Sequence, residues 1–77
     1  MIDFSSMTEK QLKMFGAEQF KKITGQHCKL AGVVPQECSR NRFWFKVGSL
    51  YFDAVQSARG IIRTTLTDSS GFDLTDI

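Results

Sequence analysis

The sequence is poor in the residues that usually mark a metal centre or a disulfide framework. It contains one histidine, one proline and two cysteines. Zinc sites use closely spaced pairs of cysteine or histidine, whereas His27 and Cys28 are direct neighbours and Cys38 lies ten positions further on. A Cys28–Cys38 disulfide is one alternative, but nothing at the N-terminus resembles a signal peptide. We therefore expect reduced thiols, no metal and no cofactor.

Long apolar runs and catalytic motifs are also missing. No segment approaches the roughly 20 apolar residues of a membrane helix, and no glycine-rich phosphate loop is present. A pairing of His27 with Cys38 is the one catalytic arrangement that stays open. With 77 residues, the chain has room for a single domain. These absences predict a cytoplasmic protein that is not an enzyme and has no membrane partner.

The charges are distributed unevenly along the chain. Residues 21–63 contain eight of the ten basic residues and two of the eight acidic ones, whereas residues 64–77 contain three acidic residues and no basic one. This asymmetry favours an anionic partner or a tail that folds back on the body, and a solvated surface of mixed charge is the plainer alternative. We predict one domain over residues 1–67 and an acidic tail over 68–77, either flexible or added as a strand.

A helix is predicted near the N-terminus. Ser6 and Glu9 have the spacing of a capping box, and Gly25 marks the end of the helix. Between them, apolar residues recur at helical spacing and form one stripe: Met7, Leu12, Phe15, Phe20 and Ile23. Gly16 lies within this helix, where the absence of a side chain would allow close approach of a strand.

The middle of the chain predicts strands. Residues 27–34 read as a strand ended by Pro35, and 36–41 as a loop. Two alternating runs, 42–47 and 50–53, flank Gly48-Ser49, which is typical of a tight β-hairpin. A two-residue turn would place Phe45 opposite Phe52, and opposed residues share a face. One face would then be apolar, with Phe43, Phe45, Val47, Leu50 and Phe52.

A second helix is predicted after the hairpin, opened by Asp53 as a cap. Val55, Ala58, Ile62 and Leu66 give its apolar spacing, and Arg59 and Arg63 would share one exposed side of it. The fold class is thus α+β, in the order helix, strand, hairpin, helix. We expect a three-stranded, mainly antiparallel sheet with both helices on the phenylalanine face.

The other face of the hairpin is the predicted binding site, with Arg42, Trp44, Lys46 and Tyr51. Trp, Tyr and Arg dominate the binding energy of many protein interfaces, but aromatic and basic sheet faces also bind single-stranded nucleic acid. The net charge of +2 argues mildly against the latter. Secondary contacts are predicted from residues in the loops, the second helix and the tail: Arg40, Arg59, Arg63, Phe72 and Leu74.

These patterns predict a small binding protein that docks on a larger protein as an inhibitor or adaptor, and the length of the chain is typical of such proteins in phages and mobile elements. Binding of RNA or single-stranded DNA by the same face is the alternative, and a homodimer would also cover it. In a third interpretation the role of Trp44 is purely structural: it packs under the tail, and Phe72 or Leu74 covers it.

Overall fold

A helix packs against a four-stranded antiparallel sheet in the computed structural model, which describes residues 2–71 and 74. Each strand pairs with its neighbour in sequence, so the sheet order is β1-β2-β3-β4. The α+β class is confirmed, but the described residues form one α-helix and four strands, not two helices and three strands. The elements are a 3-10 turn at Phe4–Ser6, helix α1 at Glu9–Thr24, a 3-10 turn at Leu30–Gly32, and strands β1 at Val33–Cys38, β2 at Arg42–Val47, β3 at Leu50–Gln56 and β4 at Ile62–Thr67.

Helix α1 begins at a capping box formed by Thr8 and Gln11. The Thr8 hydroxyl accepts the Gln11 N–H at 3.2 Å, and the Gln11 side chain accepts the Thr8 N–H at 2.8 Å. The predicted box of Ser6 with Glu9 is wrong, because Ser6 belongs to the preceding 3-10 turn and its hydroxyl donates within that turn. The helix ends at Gly25, as predicted. Within the described part of the chain, no helix has the length and apolar character needed to cross a membrane.

The core lies between the apolar stripe of α1 and one face of the sheet. Phe45 stacks on Phe43 and Phe52, with ring centroids 5.0 and 4.8 Å away, and all three rings are buried. From the helix, Phe20 meets Phe52 edge-on and Phe15 packs near Phe43. The same cluster includes further residues from all parts of the fold: Phe4, Leu12, Val33 and Leu66, which are buried, with Met7, Ile23, Val47 and Leu50 partly buried.

Gly16 allows α1 to approach the sheet closely. A Cβ atom at this position would lie 2.7 Å from Val33 Cγ1 and 3.2 Å from Phe45 Cδ2, well inside the roughly 3.5–4.0 Å at which carbon atoms pack. Val33 and Phe45 are both buried. The close approach predicted at Gly16 is therefore confirmed.

Strands β2 and β3 form the predicted hairpin, and its register is confirmed. Val47 pairs with Leu50, and further along the ladder Phe45 pairs with Phe52. The φ of Gly48 is 61°, as the first position of a primed hairpin turn requires. Because side chains alternate between the faces of a strand, this register directs the phenylalanines to the core and the intervening residues to the other face.

The region predicted as a second helix is the end of one strand, a turn and another strand. β3 continues to Gln56, because Ala54 and Gln56 extend the inward alternation begun by Phe52 and are buried with it. Gly60, with a φ of 80°, then donates its N–H to the Ser57 carbonyl and reverses the chain. β4 pairs with β3 along its whole length, and four of its six residues are β-branched, which favours a strand.

β1 lies later in the chain than predicted. The predicted bounds, a strand over 27–34 and a loop over 36–41, are wrong in part, since β1 runs through Val33–Cys38 and only 39–41 of the predicted loop lies outside a strand. Pro35 does not end it, because β1 is an edge strand, and edge strands tolerate a proline whose nitrogen is turned away from the neighbouring strand. A bulge between Pro35 and Glu37 shifts the pairing with β2.

After β4 the chain turns at residues 68–71. The Asp68 carboxylate accepts the N–H and the hydroxyl of Ser70, and the Gly71 N–H donates to the Asp68 carbonyl. Leu74 packs against the core and donates its N–H to the Leu66 carbonyl at 2.7 Å. Phe72 lies outside the described residues, as do 73 and 75–77, so the tail that is either flexible or added as a strand stays a prediction.

Candidate partner-binding face

The face of the sheet opposite α1, here called the open face, carries all four residues predicted as the primary site. Arg42, Trp44 and Lys46 project from β2, and Tyr51 projects from β3. Their cross-strand neighbours complete the open face: Asp53 and Val55 of β3, Val34 and Glu37 of β1, and Arg63, Thr65 and Thr67 of β4. The hairpin register alone therefore brings the four predicted residues together.

Arg42 is held by two neighbours on the open face. Its Nε and Nη2 atoms donate to the two carboxylate oxygens of Asp53 at 3.0 and 2.6 Å. Its Cζ atom lies 4.6 Å from the centre of the Trp44 ring, in cation–π geometry. The hydrogen bonds to Asp53 raise the pKa of the guanidinium, and the charges of Asp53 and Glu37 add to this effect. Arg42 therefore orients both Trp44 and Asp53.

Lys46 and Tyr51 form a second cation–aromatic pair across the hairpin. The Lys46 Nζ lies 5.6 Å from the centre of the Tyr51 ring, and the two residues are direct cross-strand partners. Trp44 and Tyr51 each keep 38% of their surface exposed. Both rings are thus fixed by a cation on one side while part of their surface stays available to a partner.

Trp44 stands between two concavities of the open face. The larger one has a volume of about 510 Å³, and the smaller one has about 210 Å³. Arg42 and Glu37 line the smaller one, together with Cys38 and Ser39. Apart from Gly71, the described lining of the larger one is aromatic, acidic or neutral polar: Gln36, Trp44, Phe45, Tyr51, Phe52, Asp53, Thr65, Thr67, Asp68 and Ser69. Among the described residues that line it, none is basic.

The residues predicted to make secondary contacts do not all form one surface with the open face. Arg63 is on the open face opposite Val55, so its predicted position on the far side of the domain is wrong. Arg59 is exposed in the β3–β4 turn, so the prediction that it shares one side of a helix with Arg63 is also wrong. Arg40 is exposed before β2; together with hydrogen bonds from Ser5, its charge lowers the pKa of Asp3. Leu74 packs against the core, and Phe72 falls outside the described residues.

Sequence reasoning missed the contribution of β4 to the site. Thr65 and Thr67 line the larger concavity. The sequence pattern after Asp53 predicts a helix with Asp53 as its cap, and a helix there would not contribute residues to the sheet face. Two signals indicated the strand: the alternation of Phe52, Ala54 and Gln56, and the β-branched residues of 62–67.

The two thiols are not bridged in the structure. Cys38 is exposed at the end of β1, whereas Cys28 is partly buried against the core, and this burial raises the pKa of its thiol. His27 is exposed after the end of α1.

Comparison of the chain with protein-family models, with curated proteins and with solved structures finds no match.

Proposed function

We propose that the protein is a non-catalytic binding module that docks on a larger protein through its open face, acting there as an inhibitor or an adaptor. The observation that carries this proposal is the arrangement of Trp44 and Tyr51. Both rings are held on a rigid sheet and stay partly exposed beside a concavity of about 510 Å³. Fixed aromatic side chains bury a large area at low entropic cost when a partner binds, which is why they dominate many interfaces.

The charges of the open face favour a protein over a nucleic acid. Three basic residues, Arg42, Lys46 and Arg63, share this face with Glu37 and Asp53, and Asp68 lines its larger concavity. Arg42 is already bonded to Asp53. Phosphate binding depends on basic groups that can neutralise the backbone, and here acidic residues offset them.

RNA or single-stranded DNA remains the alternative ligand, and one observation favours it. Arg63 adds a third basic residue to a face that already carries two partly exposed rings. Fluorescence anisotropy with labelled oligodeoxythymidine and oligouridine would measure this binding. A dissociation constant in the micromolar range that weakens steeply between 50 and 200 mM salt would support the alternative and contradict docking on a protein.

Affinity capture with matched baits tests the proposal. The wild-type chain, Trp44→Ala and Met14→Ala would be immobilised and exposed to nuclease-treated lysate of the source organism. Met14 is the control because it is 52% exposed on α1, which covers the opposite face of the sheet. We expect a protein that is retained by the wild type and by Met14→Ala and is lost with Trp44→Ala.

The purified partner would then be titrated against the three variants. Loss of a hot-spot aromatic weakens binding by about 2 kcal/mol or more, roughly thirtyfold. A partner retained equally by Trp44→Ala would place binding elsewhere. Self-association of the isolated wild type in light scattering, abolished by Trp44→Ala, would identify a homodimer instead.

A further inference from the structure

We propose that the larger concavity of the open face receives a lysine or arginine side chain of the protein partner. This inference rests on the proposed function and adds the chemistry of the group that the partner presents. Two aromatic residues, Trp44 and Tyr51, line the same space as two acidic residues, Asp53 and Asp68.

The basic residues of the open face do not line this space. Arg42 lies on the other side of Trp44, where it lines the smaller concavity, and Lys46 is positioned over the Tyr51 ring. Neither is among the residues around the larger concavity, and the rest of its described lining is also without a basic side chain. Both charged residues in its described lining are therefore acidic, and one of them, Asp53, is paired with Arg42.

A lysine or arginine side chain matches both kinds of wall. Its alkyl stem is apolar and packs well on aromatic rings, while its charged end prefers carboxylates. Asp53 retains capacity for such a group, since a carboxylate has about four acceptor positions and Arg42 uses one on each oxygen. The hydroxyl groups of Thr65 and Thr67 are further acceptors beside the rings.

Other side chains match less well. A glutamate or a phosphate would meet the two carboxylates without a basic group in the walls. An aliphatic side chain would fill the space but would cover the Asp53 carboxylate without offering it a hydrogen bond, which is unfavourable. The volume of about 510 Å³ falls within the range of about 300–1,000 Å³ typical of ligand pockets, so a long side chain can enter with its neighbours.

Four blocked tripeptides serve as probes, with lysine, arginine, norleucine or glutamate between two glycines. Each would be titrated into ¹⁵N-labelled protein while the Trp44 indole and the Thr65 and Thr67 amide signals are followed. We expect the lysine and arginine peptides to shift these signals with saturation in the millimolar range. The norleucine peptide, which has the lysine stem without its charge, should bind at least fivefold more weakly, and the glutamate peptide should cause no shift.

Isosteric variants test whether the carboxylates of Asp53 and Asp68 bind the charged end of the peptide side chain. Asp53→Asn and Asp68→Asn should each weaken binding of the lysine peptide at least threefold and leave the norleucine peptide unaffected. Asp3→Asn is the matched control, since Asp3 caps the 3-10 turn at Phe4–Ser6 and does not line the concavity. Signal dispersion in the same spectra verifies that each variant is folded.

The outcomes separate this inference from the proposed function. Equal binding of the norleucine and lysine peptides at these signals would overturn the preference for a cation and leave docking through the open face intact. A stronger response to the glutamate peptide would overturn it in favour of an anionic ligand. If no peptide shifts these signals at 20 mM, the concavity is not the anchor site, whereas failure of the proposed function would appear as Trp44-independent capture.

Discussion

The guanidinium of Arg42 binds both carboxylate oxygens of Asp53 diagonally across the β2–β3 hairpin. This pairing engages one of the three basic residues that the open face could use to bind phosphate. We expect Asp53→Asn to release Arg42 and to raise the affinity for oligodeoxythymidine at low salt. Removing one unit charge about 4 Å from a phosphate in water changes binding about fivefold.

Anisotropy titrations at 20 and 200 mM salt would measure this change. Glu9→Gln is a suitable control, because Glu9 pairs with Lys13 on α1, away from the sheet. Equal affinity of Asp53→Asn and the wild type for the oligonucleotide would mean that Arg42 is not restrained by Asp53 in solution.

The two faces of β2 should respond differently to truncation. Phe45 is fully buried between two other phenylalanine rings, so Phe45→Ala should lower the free energy of unfolding by about 3–5 kcal/mol. Trp44→Ala removes a partly exposed ring and should cost about 1 kcal/mol. Urea unfolding followed by circular dichroism measures both. A larger loss for Trp44→Ala than for Phe45→Ala would show that the faces are reversed.

Gly16→Ala tests the contact of α1 with the sheet. In an exposed helix this change stabilises by about 1 kcal/mol, but here the new methyl group would overlap Val33 Cγ1 and crowd Phe45. Overpacking of a dense core costs about 1–3 kcal/mol, so we expect a net loss of up to about 2 kcal/mol.

A second substitution and a control make this result specific. Val33→Ala removes the atom that the new methyl group meets, so the double variant should lose less than the sum of the single losses. Gly32→Ala should be nearly neutral, because a Cβ there meets no atom within 4 Å. Stabilisation by Gly16→Ala would mean that α1 lies further from β1.

Gln56 anchors the N-terminal segment. Its side chain is buried, accepts the Ile2 N–H at 3.0 Å and donates to the Ile2 carbonyl at 2.7 Å. Gln56→Ala should lower stability by about 1–3 kcal/mol and accelerate hydrogen exchange at Ile2 and Phe4. Gln36→Ala, at an exposed position of β1, is the control and should leave both unchanged. Normal exchange at Ile2 in Gln56→Ala would show that the segment is held by other contacts.

The two cysteines should differ in reactivity. Cys38 is exposed, whereas burial lowers the access to Cys28 and raises the pKa of its thiol. Because the thiolate is the reactive form, iodoacetamide at pH 8 should modify Cys38 several-fold faster in the native protein, and mass spectrometry of the digested chain gives both rates. In denaturant the two rates should converge, and equal rates in the native state would contradict the burial of Cys28.

The raised pKa of Cys28 also makes the stability of the fold depend on pH in the alkaline range. The pKa of Cys28 is raised in the folded state, so the folded protein favours the neutral thiol. The stability that this preference contributes is lost as the pH rises from the ordinary pKa of a thiol through the raised pKa of Cys28. Cys28→Ala should therefore lose less stability than the wild type between pH 8 and pH 10.

The hairpin and the open face could be predicted from the sequence because they depend on local signals. Gly48-Ser49 defines the turn, and strict alternation from Phe43 to Phe52 then determines every pair of the ladder. The positions of Arg42 and Trp44 follow from the same register. The helix stripe was predictable for a similar reason, since its spacing lies within one element.

The rest of the fold depends on contacts between distant residues. Leu66 and Ile62 suit a helix and a strand equally well by spacing, and pairing with β3 selects the strand. Pro35 predicts the end of a strand unless that strand is known to lie at the edge of the sheet. The hairpin register places Asp53 opposite Trp44 on the open face, but the interpretation of Asp53 as a helix cap left its bond with Arg42 unpredicted.

Every strand pairs with the next one along the chain, and this arrangement favours rapid assembly of the sheet. Each hairpin closes only a short loop, and proteins dominated by such local pairing fold faster than those with distant pairings. Hydrogen bonds between residues far apart in sequence involve the N-terminal half of the chain. Ile2 is bonded to Gln56, 54 positions away, and Gln19 is bonded to Thr64, 45 positions away. The meander can form first, and the phenylalanine rings then lose contact with water only when α1 and the N-terminal segment close over them.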